Sequence, residues 1–153
     1  MNVDDLDRRI LSSLVREGRV RWSALAERFG VSSPAVADRV RRLEAAGIIT
    51  GYAARLSAEA LGIDITAFVS VTLEHPKYRQ GFIAYVQASD CVQSCHHVVG
   101  EGDFLLLVRC RSTAHLEAVL TNEIKALPGI ARTKTTISLS AVKESAVIPF
   151  EEA

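Results

Sequence analysis

The hydrophobic pattern of this chain changes period near residue 60, and one type of element cannot satisfy both halves. Before that point apolar residues recur every three or four positions: Leu6, Ile10, Leu11 and Leu14, then Leu25, Ala26 and Phe29, then Val36, Val40 and Leu43. This spacing places one apolar stripe on each of three short helices. Beyond it, Ile65, Ala67, Val69, Val71 and Leu73 alternate with Thr66, Ser70 and Thr72, as in a half-buried strand. The chain has 153 residues, enough for two small domains. We therefore expect a helical domain over 1–50, an extended linker over 51–62 and a mixed domain over 63–153.

The first half is well punctuated. Asp4 or Asp5 can cap the first helix, and Gly18 stops it. The second follows Arg21-Trp22 and ends at Gly30; Ser23 is its expected cap, and Trp22 reads as a packing residue. Ser32-Ser33-Pro34 then opens the third, which Gly47 ends. Serine caps well, and proline in the first turn lacks only an N–H that would be unpaired there. A short helix, a glycine turn and a serine-capped, arginine-rich helix fit a helix-turn-helix. In that reading Ser32, Ser33, Pro34 and Ala35 form the tip that approaches base edges. Asp38, Arg39 and Arg42 lie further along, away from Val36 and Val40. Residues 1–56 carry ten arginines, no lysine and seven acids, whereas the remainder has eight bases and eleven acids. A basic first third suits double-stranded DNA as a partner, and arginine suits bidentate contact with phosphate or guanine. An ordinary three-helix bundle with a solvated arginine face fits the same residues.

In the second half Tyr78–Ala88 and Thr113–Leu127 read as helices. Val92–Val99, Phe104–Cys110 and Ile130–Ser140 read as strands, and Gly100-Glu101-Gly102-Asp103 joins the first two of these. With Ile65–Leu73 the order is βαββαβ, the ferredoxin-like arrangement. The expected class is thus α+β: a three-helix helix-turn-helix domain followed by a ferredoxin-like domain. Both helices of that domain fall on one side of the sheet. Thr66, Phe68, Ser70 and Thr72 look out from the other side, which a second copy of the chain would cover. The glycine-acid turn has two readings. Asp103 or Glu101 could receive an ammonium, the N–H groups of Gly100 and Gly102 a carboxylate, and Thr136 and Ser138 could add hydroxyls, which together would suit a free amino acid. Alternatively the glycines only permit a tight hairpin.

Other functions are disfavoured. Phe104–Val108 is far shorter than the roughly 20 apolar residues of a membrane span. The start, with Asp4, Asp5 and Asp7, lacks a basic-then-apolar signal pattern, so a cytoplasmic protein is expected. Cys91, Cys95 and Cys110 are read as reduced, structural cysteines. Cys91-x3-Cys95-His96-His97 fits none of the usual zinc spacings, and a strand would send the two histidines to opposite faces. Serine-triad, P-loop and zincin motifs are all missing, so we expect neither an enzyme nor a cofactor.

Several stretches together resemble the leucine-responsive/asparagine-regulator (Lrp/AsnC, feast/famine) family, over residues 5–148. Leu6-Asp7-Arg8-Arg9-Ile10-Leu11 with Gly18-Arg19 resembles its opening helix. Leu25–Ser32 and Val40–Tyr52 resemble its helix-turn-helix and exit. Gly100–Val108 resembles the turn and strand of its ligand domain, and Leu127-Pro128-Gly129-Ile130 the break before the last strand. The resemblance implies a DNA-binding regulator that answers to an amino acid and assembles as dimers, in some members as octamers. It also implies an effector site built on Gly100, Glu101, Gly102 and Asp103. Two positions depart from the family: Arg21 stands where serine or threonine is usual, and Gly102 where an aromatic is common.

Overall fold

The computed structural model describes residues 3–145 and 147–150. They form two compact units: the described residues up to Leu56 together with those from Lys143 on, and Ser57–Val142.

The first unit holds three helices, α1 (Asp5–Glu17), α2 (Trp22–Phe29) and α3 (Ser33–Ala45). Asp4 caps α1 reciprocally: its carboxylate accepts the Asp7 N–H (2.8 Å), while the Asp7 carboxylate accepts the Asp4 N–H (3.3 Å). Two acids at the positive end of the helix dipole add to the effect. α2 begins at Trp22, one residue before the expected serine cap, and Arg21 makes no side-chain capping bond. Tertiary packing supplies what the cap does not, since Trp22 rests on the buried cluster of Ile10, Leu25, Ala26, Val36 and Val40. Gly30 ends α2 in the left-handed region, and Ser32 Oγ accepts the Ala35 N–H (3.3 Å) to start α3.

The second unit is a four-stranded antiparallel sheet, β1 (Ile65–Leu73), β2 (Val92–His97), β3 (Phe104–Cys110) and β4 (Ile130–Ile137), in the order β2-β3-β1-β4. Helices α4 (Arg79–Ala88) and α5 (Thr113–Ala118) complete the βαββαβ order, and α5 runs on as a π-helical turn over Val119–Ile124. Phe82, Leu116, Val119 and Ile124 pack on Ala67, Val69, Val71, Leu106 and Val108, so both helices cover one face. β2 and β4 end sooner than the pattern predicted, at His97 and Ile137. The open face keeps Phe68 and Leu105 exposed at 44% and 38%. It is not free of charge as the β1 pattern suggested. Lys134 lies opposite Ser70, and Arg132 opposite Thr72, so β4 brings two cations to that face.

Where the chain passes from the first unit to the second, 51–57 is exposed and forms no regular structure, and a 3-10 turn at Glu59–Leu61 follows, with Ser57 Oγ accepting the Ala60 N–H. The expected second domain ran to residue 153, but the described residues from Lys143 on side with the helices. Val147, Ile148 and Phe150 line a cleft with Ser12, Val15 and Arg16 of α1, and Arg55 donates to the Glu144 carbonyl (3.5 Å). Val15 is the apolar residue of α1 in this cleft, a pairing between the two ends of the chain that no periodicity could announce. Among the described residues no helix is long and apolar enough to cross a membrane.

One glycine in the second unit is demanded twice. Gly129 has φ +78°, and a Cβ there would come within 1.9 Å of the Tyr78 ring. A left-handed backbone costs an ordinary residue about 1–2 kcal/mol, and displacing a packed ring adds about 1 kcal/mol or more. Gly129→Ala should therefore lower stability in urea denaturation by about 2–3 kcal/mol. A change below about 0.5 kcal/mol would show that β4 can start without this contact.

Candidate functional site

α3 presents the side chains a groove-reading helix needs, but not all those the sequence suggested. Val36, Val40 and Leu43 are buried, which fixes the rotation of the helix. Ser32, Pro34 and Asp38 are exposed, and Ser33 and Ala35 are half-buried beside them. Arg42 is 58% exposed, with Nη2 3.8 Å from Asp7. Arg39 behaves differently. Its Nη1 donates to Asp4 (2.6 Å) and to Asp7 (2.8 Å), whose carboxylate is only 1% exposed. Arg39 therefore ties α3 to the start of α1, which corrects the expectation that it faces the groove. The Arg39 guanidinium holds the Asp4 carboxyl below the usual carboxylate range, chiefly by its hydrogen bond.

The outward position belongs instead to Arg41, 72% exposed and bridged to Asp38 over one turn (2.9 Å). The sequence reading passed over it. Its signal was present: Pro34, Asp38 and Arg41 follow at i, i+4 and i+7, the stripe opposite the buried one. Elsewhere in this unit, Arg9 stacks on Phe29 (4.6 Å) and Arg28 pairs with Glu17. Arg41 and Arg42 are left as the outward cations of α3.

The second candidate is the Gly100–Asp103 turn, which lies against the open face of the sheet. The Asp103 N–H donates to the Val71 carbonyl (2.9 Å), and Asp103 Oδ2 accepts the Leu73 N–H (2.7 Å). Asp103 thus fastens the turn to β1, and the carboxylate expected to meet a ligand's ammonium is already engaged by backbone. Gly102 lies close against β1 without an unusual φ: a Cβ there would fall 2.3 Å from Ser70 Oγ and 3.2 Å from the Val71 carbonyl oxygen. A larger residue at 102 needs Ser70 to rotate or the turn to shift. Glu101 reaches across to β4, where its carboxylate meets Lys134 Nζ (2.9 Å) and its carbonyl accepts from Arg132 (3.2 Å). Lys134, then Arg132, holds the Glu101 carboxyl below its ordinary range.

Of the two hydroxyls proposed from sequence, Thr136 sits on the open face opposite Phe68, one strand repeat from Lys134. Ser138 lies a further repeat away: its N–H donates to the Thr66 carbonyl (2.8 Å), and its hydroxyl donates to the Ser140 carbonyl (3.2 Å). The turn, Ser70, Lys134 and Thr136 therefore share one surface, with Ser138 at its margin. Lys134 and Arg132 were missed because only the pairing register carries β4 next to the turn.

Residues 3–50 match the family described as winged helix-turn-helix DNA-binding, and residues 66–148 match the Lrp/AsnC ligand binding domain. The chain is 40% identical over 138 residues to the HTH-type transcriptional regulator LrpA of Mycobacterium tuberculosis, covering 90% of this chain and 91% of that protein. Among solved structures, AsnC of E. coli superposes with a TM-score of 0.91 at 32% identity, covering 97% of this chain and all of that one. A feast or famine regulatory protein of M. tuberculosis complexed with L-methionine superposes with a TM-score of 0.89 at 37% identity, covering 96% and 99% of the two chains.

The Arg39 clamp yields a test of its own. Removing one partner of a fully buried ion pair costs roughly 3–5 kcal/mol; with Arg39 a quarter exposed and Arg42 close by, we expect about 2 kcal/mol for Arg39→Ala. Asp4 contributes above its unfolded pKa, because the folded value is the lower one, and that contribution fades as the pH falls below about 4. The gap in melting temperature between Arg39→Ala and the parent protein should therefore narrow in acid. A gap that is absent at neutral pH would mean that the clamp is not holding the helices.

Proposed function

The chain belongs to the Lrp/AsnC family of transcriptional regulators, and we propose how its two units divide the work of one. The helical unit binds double-stranded DNA through the tip and outer stripe of α3: Ser32, Ser33, Pro34, Ala35, Asp38, Arg41 and Arg42. The observation that carries this half is the pair of exposed arginines beside the serine-capped start of a helix in a matched helix-turn-helix. A helix N-terminus favours phosphate oxygen, and guanidinium groups suit phosphate or the O6/N7 edge of guanine.

In the second unit the turn Gly100–Asp103 forms part of a site for an amino acid, the ligand class named for one similar solved structure. Glu101 receives the ammonium by exchanging its contact with Lys134. Lys134 then turns to the ligand carboxylate, together with N–H groups of the turn, and Thr136 lies alongside on the same face. Asp103 and Gly102 keep the turn seated on β1, and Ser138 borders the site. The open sheet face with Phe68 and Leu105 supports pairing with a second copy about a two-fold axis, and further assembly to an octamer would build on that dimer. The exposed stretch 51–62 serves as the connector between domains. Binding rather than catalysis is the chain's work, carried out in the cytoplasm beside the DNA it controls.

Measured on DNA fragments selected from the source genome, Arg41→Ala and Arg42→Ala should each weaken binding. An arginine that reads guanine is worth roughly 1–3 kcal/mol, and its loss relaxes one base pair. One that touches only phosphate lowers the salt slope by about one across all sequences. Unchanged affinity in both variants would remove α3 as the reading helix.

Calorimetry with the twenty amino acids tests the second unit. Glu101→Gln should cost the bound effector roughly 1.5–3 kcal/mol, as expected for loss of a charged hydrogen bond. Any coupling to DNA must be reciprocal, so saturating DNA must change effector affinity by the factor that effector changes DNA affinity. Failure of every amino acid to bind would leave the turn as a structural hairpin only.

A further inference from the structure

Three side chains that the regulatory reading does not use converge behind the sheet. Cys91 comes from the loop before β2, Cys110 from the end of β3, and His115 from the first turn of α5. Their sulfur and ring-nitrogen atoms lie within 4.8 Å of one another, with Cys110 buried and the other two half-buried. In sequence Cys91 stands nearer Cys95, His96 and His97, a grouping whose spacing fits none of the usual zinc sites. The fold breaks up that group: Cys95 lies opposite Leu106, well along β2, while His96 and His97 are exposed.

Two soft sulfurs and an imidazole can hold a metal, or they can form a reactive dithiol. The local hydrogen bonds decide between them. Ser112 Oγ caps α5 by accepting the His115 N–H (3.1 Å), and His115 Nδ1 in return accepts the Arg111 N–H (3.3 Å). With Nδ1 occupied as an acceptor, the proton of the neutral ring sits on Nε2, which points at Cys91 Sγ (3.8 Å). A histidine that ligates a metal needs the reverse: a bare nitrogen toward the metal, and its other N–H given to an acceptor. The ring is therefore set as a donor to sulfur.

We propose that Cys91 and Cys110 are an oxidation site, in which a hydroperoxide converts the two thiols to a disulfide across the β2–β3 edge. The two sulfurs have different roles. Cys91 is the less buried of the two, in the turn before β2, with an N–H donor beside it. Cys110 is buried, and burial pushes its thiol up to about 11, so it waits as the resolving thiol. In the first step the Cys91 sulfur attacks a peroxide oxygen. The S–O bond forms, the O–O bond breaks, and alcohol (water, for hydrogen peroxide) leaves with the thiol proton. In the second, Cys110 attacks the Cys91 sulfenic sulfur; the S–S bond forms and the hydroxyl leaves as water with the Cys110 proton. Two electrons pass from the sulfurs to the peroxide, and thiol reductants reverse the change. The sulfurs start further apart than the roughly 2 Å of the bond, so a side-chain rotation at Cys91 must accompany closure.

The test is hydrogen peroxide added to the reduced full-length protein, followed by alkylation and peptide mapping. The expected result is loss of two of the three thiols, a peptide pair joined through Cys91 and Cys110, and Cys95 still open to alkylation under denaturing conditions. Cys91→Ser should slow peroxide consumption by about tenfold or more, since the reacting sulfur is gone. Cys110→Ala should leave a sulfenic acid on Cys91 that dimedone traps. Initial oxidation at Cys95, a disulfide between chains, or an unchanged rate in Cys91→Ser would overturn the proposal. So would one equivalent of zinc retained by the reduced protein through dialysis and lost in Cys91→Ser, which would mark a metal centre instead.

Discussion

In the helical unit the carboxylate of Asp7, almost fully withdrawn from water, needs a cation, and Arg39 supplies it from the middle of α3. A buried carboxylate without a partner is among the more expensive defects a small core can carry. Meeting that need fixes α3 against the start of α1 and thereby selects the face α3 leaves open. The pair also joins three jobs in few residues. Asp7 closes the capping box with Asp4, Asp4 shares the guanidinium, and Arg42 stands within 3.8 Å of the same oxygen. The outer stripe of Pro34, Asp38 and Arg41 is what remains once this side is committed.

A comparable commitment shapes the second unit. The sheet buries one face under α4 and α5, and the turn between β2 and β3 leans on the other. Asp103 clips that turn to the end of β1 through backbone groups of Val71 and Leu73. Glu101 extends it to Lys134 on β4. The turn thereby spans β1 and joins strands that are not neighbours in sequence. Glu101 and Lys134 are both exposed, so the ion pair contributes little to stability and can be exchanged at small cost. The clip at Asp103 is the anchored part and the Glu101 pair the adjustable one.

Much of this was legible in the sequence, because local rules govern it. The period change separated the two kinds of element. Ser32 with Pro34 gave the start of α3, and β1 fell where alternation put it, at Ile65–Leu73. What escaped was set by contacts distant in sequence. Arg39 looked like a surface arginine because its partners lie more than thirty residues earlier. Asp103 looked available because its partner is the Leu73 N–H. Lys134 and Arg132 were invisible as neighbours of the turn until the β1–β4 register was known. Cys110 and His115 joined Cys91 only through the fold. Helix 2 started without its expected cap because Trp22 could be held by packing alone.

The chain leaves the helical unit after residue 56 and supplies that unit again from residue 143, so the second unit is an inset within the first. This bears on the order in which the parts can be finished during synthesis. The three helices emerge first and can pack at once, yet the side of α1 that carries Ser12, Val15 and Arg16 waits for Val147, Ile148 and Phe150. By then the whole sheet has been translated. A stalled or clipped chain ending before residue 143 would carry a complete second unit and a helical unit with that cleft still bare.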